Sequence, residues 1–147
     1  MDGISYLNRR SKLQDYFDRT ANDAWAKLTS DAPVSGIRAT VRAGRDQMRN
    51  SIISRLPENL TGKKILDAGC GTGAVALELA NKGALVTAVD LSPNLIELAK
   101  SRIPESDRQN IQFHAGDMLD EAYGDFDYVI GMDSMIHYCA KDMLVVL

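Results

Sequence analysis

Disulfide frameworks and metal clusters need cysteine and histidine, and this sequence has little of either. Its two cysteines, Cys70 and Cys139, are too few for a disulfide scaffold and lack metal-type spacing. Its two histidines are His114 and His137. No metal site is expected, and a reducing cytoplasm is the simplest compartment. No apolar run reaches the roughly 18 residues that a membrane-spanning helix needs. The N-terminal stretch "MDGISYLNRRSKLQDYFDR" lacks the apolar centre of a signal peptide. Repeats, low-complexity tracts and long linkers are absent. So is any basic stretch dense enough to predict nucleic-acid binding.

What remains is an ordinary globular composition, 45% apolar and 25% charged over 147 residues. That length suits one domain or part of one. The net charge of −3 is unevenly placed. Residues 1–60 hold ten Lys/Arg against seven Asp/Glu, and residues 61–147 hold seven against thirteen. A basic front on an acidic body suits an anionic partner or surface.

The pattern divides at about residue 60. Residues 11–28 read as a helix, with Ser11 and Gln14 as a capping box and a second cap signal at Thr20 and Asp23. "TSDAPVSG" is a turn-rich connector. A second amphipathic helix is predicted from Ser35 to Leu56. Ile37, Val41, Met48 and Ile52 form its apolar stripe, and Arg38, Arg42, Arg45 and Arg49 form a basic one. The basic stripe is read either as a solvated flank or as a contact for an anionic ligand or membrane.

From Lys63 onward, strands alternate with helices. "KKILDAG", "ALVTAVD", "NIQFHAGD" and "FDYVIGMD" read as strands. "AVALELANKG" reads as a helix closed by Gly83, and "SPNLIELAKSRI" as one capped by Ser92 with Pro93 at its first position. "AKDMLVVL" begins another helix. This order predicts an α/β fold, a parallel sheet covered by helices on both faces. His114, alternating with Phe113, is read as structural.

The stretch "LDAGCGTGA", Leu66 to Ala74, carries the most chemistry. It lies where a strand passes into a helix. Gly69 and Gly71 allow a tight turn and close approach of a ligand to the backbone. Asp67, at the strand end, can face a cationic or hydroxyl-bearing group. Asp90 ends the next strand, 21 residues after Gly69, where a carboxylate accepts from ribose hydroxyls. A nucleoside site follows. Gly69, Gly71 and Ala74 also meet the loose dinucleotide fingerprint, and a glycine turn made only for packing is a third reading. Against a dinucleotide, Asp67 would bring negative charge close to its pyrophosphate.

With Gly73 the pattern becomes D-x-G-x-G-x-G, which resembles the first motif of class I S-adenosylmethionine-dependent methyltransferases. The resemblance implies a Rossmann-like fold and S-adenosylmethionine as cofactor. It implies that Asp67, Gly69, Cys70, Gly71 and Gly73 hold the methionine end and that Asp90 holds the ribose. Leu91 would pack on adenine, Asp117 would take its amine, and the Met118 N–H a ring nitrogen. Gly131 and Met132 would border the methionine moiety.

A longer stretch, "YFDRTANDAWAKLTSDAPVSGIRATVRAGRDQMR", followed later by "MDSMIHY", resembles the magnesium-protoporphyrin IX methyltransferase family of (bacterio)chlorophyll biosynthesis. That resemblance implies methyl esterification of a propionate of the magnesium porphyrin. It also implies that Tyr16 and His137 matter for activity. His137 could orient the accepting carboxylate, take a proton or approach the porphyrin metal, and Tyr16 could lid the site. Packing is the competing reading for both.

Residues 1–60 are then an N-terminal helical segment on the acceptor or lid side, and residues 61–147 an incomplete cofactor-binding domain. The family's fold has more strands than the four read here, so a truncated form is expected, with an apolar edge at strand four open to self-association. The resemblance also admits attachment to the photosynthetic membrane or to magnesium chelatase. Two other functions stay open: a cofactor-binding fragment without turnover, and a class I methyltransferase acting on another small molecule.

Overall fold

The computed structural model describes residues 3–15 and 36–132, with Ser30 and Pro33 between them. The expectations for Tyr16, the cap at Thr20, most of the connector, His137, Cys139 and the last helix lie outside the described residues.

The elements run in the order α1 (Gly3–Asp15), α2 (Gly36–Ser54), β1 (Lys64–Ala68), α3 (Ala74–Asn81), β2 (Leu85–Asp90), α4 (Pro93–Arg102), β3 (Ile111–Ala115) and β4 (Tyr128–Ile130). Short 3-10 turns, Glu105–Arg108 and Glu121–Tyr123, flank β3. The strands form one sheet in the order β3-β2-β1-β4, and every pairing is parallel. This is the parallel α/β sheet that the strand–helix alternation predicts, in the Rossmann-like form that the resemblance implies.

Because β1 is central and covered on both faces, burial does not alternate along it, and all but Lys64 are buried, Asp67 included. Successive side chains still divide between the faces. Ile65, Val86, Ala88, Ile111 and Ile130 join the main core with Val75, Ala76 and Leu79 of α3. Leu66, Ala68 and Val89 point the other way, to a smaller cluster with Met118.

The local signals place the helix ends. Ser92 accepts from the Leu95 N–H at 3.2 Å, with Pro93 at the first helical position. At the end of α3 the Gly83 and Ala84 N–H groups donate to the Ala80 and Leu79 carbonyls. One clip was not anticipated. Asp127 accepts from the Lys64 N–H at 2.8 Å, and its own N–H donates to the Lys64 carbonyl at 2.7 Å, fixing β4 beside β1.

Two N-terminal expectations need correction. The first helix starts at Gly3, so Ser11 lies in its interior as an exposed residue and caps nothing. The reason is a tertiary anchor upstream of the expected cap: Tyr6 is buried and bonded to Asp117. The apolar stripe of α2 enters the core only at its C-terminal turns. Ile53 is buried and Ile52 packs on the main core, whereas Ile37 is 84% exposed and Val41 and Met48 are also exposed. On the basic stripe, Arg49 ties α2 to α3 through Glu78, Nε to Oε1 at 3.1 Å, and also pairs with Asp46. Burial, and next the charge of Arg49, hold the Arg45 guanidinium below its usual range.

Candidate functional site

The site is built at the carboxyl edge of the sheet, where open parallel sheets bind ligands. The chain leaves β1 through Gly69, Gly71 and Gly73, all with positive φ. The Gly69 and Cys70 N–H groups donate to the Val89 carbonyl at 2.8 and 3.0 Å, so the loop is tied to the end of β2. The Gly73 N–H closes the turn on the Cys70 carbonyl at 3.0 Å. Helix α3 begins at the next residue.

Asp90 has a role that sequence reasoning missed. Its Oδ2 accepts from the Gly71 N–H and its Oδ1 from the Ser92 N–H, each at 2.9 Å. The carboxylate therefore braces the glycine loop against the start of α4. A carboxylate offers about four acceptor positions, so bracing the loop and accepting from a hydroxyl donor are compatible.

Asp67 is 2% exposed. The Ala76 N–H faces the carboxylate, but Oδ2 is buried with no hydrogen-bond partner among the described residues. Desolvation, and secondarily the charge of Asp90, push its pKa up to about 7. An orphaned carboxylate oxygen at a ligand-binding edge fits a cationic donor such as an ammonium. Cys70 is different. Burial first, then the charges of Asp67 and Asp90, drive its thiol well above the usual range, so the side chain stays a protonated thiol.

Just past the end of β3, the Gly116 N–H donates to the Asp90 carbonyl at 2.8 Å, bringing Asp117 alongside. Asp117 Oδ1 accepts from the Leu119 N–H at 2.9 Å. Its Oδ2 accepts from the Tyr6 hydroxyl at 2.5 Å and lies 3.5 Å from Arg10 Nη1. Sequence reasoning missed Tyr6 and Arg10. The available signal was their i, i+4 spacing on one helix.

Leu91 is half-buried beside Asp90, and the Met118 side chain is buried in the smaller core cluster. Met132 packs on the main core just past β4. The loop, Asp67, Asp90, Leu91, Asp117, Met118 and Met132 thus share one edge of the sheet. Tyr16 and His137 lie outside the described residues. His114 packs against Tyr123, with ring centroids 5.1 Å apart and the rings tilted by 43°.

Residues 65–147 match the family described as "Methyltransferase domain". The chain is 55% identical over 139 residues to a magnesium-protoporphyrin O-methyltransferase from Rhodobacter capsulatus, covering 94% of this chain and 62% of that protein. A protein of the same description from Synechocystis sp. is 33% identical, covering 92% of this chain and 60% of the relative. The chain thus spans about three fifths of the length of these curated relatives. Among solved structures it is similar to magnesium protoporphyrin IX methyltransferase from Synechocystis PCC 6803 with bound SAM. The TM-score is 0.84 at 30% identity, covering 94% of this chain and 68% of that one. The chain belongs to the methyltransferase-domain family and, within it, to the family of the magnesium-protoporphyrin O-methyltransferases.

Proposed function

We propose that this protein is an S-adenosylmethionine-dependent O-methyltransferase that esterifies a propionate of magnesium protoporphyrin IX. The observation that carries the reading is the chain-long similarity to the SAM-bound enzyme, 94% of this chain at a TM-score of 0.84. The sheet edge supports it with acceptors suited to both ends of the cofactor.

When bound, S-adenosylmethionine supplies a sulfonium methyl carbon, and a propionate oxygen takes that methyl as an ester while the carbon–sulfur bond breaks toward sulfur. No proton is transferred, because a propionate is already ionised at neutral pH. The work left to the protein is positioning. Asp67 offers to the ammonium its Oδ2, which has no partner among the described residues. The glycine loop lets the ligand lie against the main chain, Asp90 accepts from the ribose, and Asp117 takes the adenine amine. Alignment of reactants of this kind is worth roughly 7–11 kcal/mol.

On this reading the basic first sixty residues face an anionic partner, the porphyrin or a membrane surface, and contact with magnesium chelatase and self-pairing along β4 belong to the same set of proposals. No helix among the described residues is long and apolar enough to cross a membrane.

The test is calorimetry with S-adenosylmethionine, followed by methyl transfer to magnesium protoporphyrin. Binding is expected, and NADH should not compete. Tight NADH binding without S-adenosylmethionine binding would return the loop to a dinucleotide site. Asp90→Ala should weaken S-adenosylmethionine by about 30- to 150-fold, the value of a charged acceptor, and unbrace the loop at Gly71 as well. Unchanged affinity would remove Asp90 from the site.

His137 gives a second prediction. In the sequence it comes seven residues after the end of β4 and well apart from the glycine loop. His137→Ala should leave S-adenosylmethionine affinity nearly intact and cut methyl transfer by about 100-fold, within the range for a positioned group. His137→Gln should recover part of that loss if the role is hydrogen bonding. Full transfer with Ala at this position would return the histidine to packing.

A further inference from the structure

We infer that Tyr6 and Arg10 of α1 are positioning residues for the purine end of this site. They fix the Asp117 carboxylate so that the protein selects a 6-amino over a 6-oxo purine. The inference rests on the proposed adenosyl ligand and adds two residues that the family motifs leave out.

The geometry is specific. Tyr6 is 8% exposed, while its neighbour Leu7 is 55% exposed, so α1 turns the tyrosine inward. The hydroxyl does not end in an apolar cluster. It donates to Asp117 Oδ2 at 2.5 Å, across 111 residues of sequence. One helical turn later, Arg10 places Nη1 3.5 Å from the same oxygen. The other oxygen accepts from the Leu119 N–H at 2.9 Å. Three donors from two distant parts of the chain therefore converge on one carboxylate.

This arrangement has a chemical consequence. Oδ2 is occupied, so the remaining capacity lies on Oδ1. Its direction is set once the Tyr6 and Leu119 bonds fix the plane of the carboxylate. An ionised carboxylate only accepts. It welcomes an exocyclic amine and repels a ring carbonyl at the same place. A site built to bond one polar group rejects the analogue that lacks it far more strongly than an apolar pocket can. Selection of this kind needs a carboxylate that cannot rotate away, and α1 supplies the restraint.

The experiment is calorimetry of the 147-residue chain with S-adenosylhomocysteine and with its 6-oxo analogue, S-inosylhomocysteine. The wild-type chain should prefer the adenosyl ligand by about 100-fold, the value of a charged hydrogen bond together with its mismatch. Tyr6→Phe keeps the buried ring and removes only the hydroxyl. It should weaken the adenosyl ligand by about tenfold and the inosyl ligand little, so that the preference falls about tenfold. Arg10→Gln should lower the preference in the same direction but less, because its contact is longer and partly exposed, and Arg10→Lys should restore part of it. A merely structural role for α1 would weaken both ligands equally. An unchanged preference in Tyr6→Phe and Arg10→Gln, with S-adenosylhomocysteine still bound, would overturn the positioning role alone. Failure of the wild-type chain to bind either ligand would overturn the nucleoside reading beneath it.

Discussion

Asp67→Asn should make the chain more stable at pH 8 while nearly abolishing S-adenosylmethionine binding. The two effects have one source. Asp67 is buried, with Oδ2 unpartnered among the described residues, and its pKa is raised to about 7. In the unfolded chain the same group titrates near 3.9. Below about pH 4 both states hold the proton, and ionisation adds no penalty. Between about pH 4 and 7 the folded state keeps a proton that the unfolded state has lost, so stability falls as pH rises. Above 7 the penalty is complete. At about 1.4 kcal/mol per pKa unit it is on the order of 4 kcal/mol. Asparagine cannot ionise, and its amide oxygen can still face the Ala76 N–H. Its amide nitrogen also needs a partner, so the gain at pH 8 should be about 2 kcal/mol, or several degrees in thermal midpoint. The advantage should vanish near pH 4.

Binding runs the other way. The ammonium of the ligand pairs with an ionised Asp67, and removing one partner of a buried pair costs roughly 3–5 kcal/mol, about three orders of magnitude in affinity. Wild-type affinity should also fall as pH drops below 7, by up to about tenfold per unit, because Asp67 must release its proton to bind. Calorimetry at pH 6 in buffers of different ionisation heat reads that proton directly. An affinity flat from pH 6 to 8, or retained in Asp67→Asn, would remove Asp67 from the ligand.

The parts of this site that could be read from the sequence are the parts made by neighbours in the chain. β1, the glycine loop, α3, β2 and Asp90 follow one another within residues 64–90, and each link has a local signature. The caps at Ser92 and Gly83 are local in the same sense. What could not be read depends on contacts between distant residues. Tyr6 meets Asp117 across 111 positions, and Asp127 meets Lys64 across 63. No periodicity encodes either meeting, and the first displaces the helix start from Ser11 back to Gly3. The stripe Ile37, Val41 and Met48 teaches a related lesson. Helical spacing groups side chains on one face but does not say that the face is covered. Asp90 was legible as an acceptor yet not as a brace, because its bond to Gly71 exists only after the loop has folded over the end of β2.

Gly73→Val should cost about 4 kcal/mol of stability and lower the thermal midpoint by roughly 10 °C or more. Gly73 stands at the N-cap of α3 with φ 86° and ψ 13°. An L-residue pays roughly 1–2 kcal/mol in that left-handed conformation. Space is the second problem. A Cβ there would lie 3.0 Å from Ile103 Cδ1 and 3.4 Å from both Ala99 Cβ and Phe113 Cε1. Those atoms belong to the end of α4 and to β3, so the glycine is where the loop, a helix and a strand close on one another. Ile103 can rotate to admit a single methyl, and Gly73→Ala should therefore cost about 2 kcal/mol. The two further methyls of valine meet Ala99 and Phe113 as well, which adds about 1–3 kcal/mol of overpacking. Gly62 separates conformation from crowding. Its φ is 78°, but nothing lies within 4 Å of its Cβ position, so Gly62→Ala should cost only the conformational term, about 1 kcal/mol. Urea midpoints measured at constant slope give all three values. Equal losses at Gly62 and Gly73 would mean that crowding contributes nothing. The third glycine of the loop would then serve the ligand alone, and not also the packing of α3 against α4.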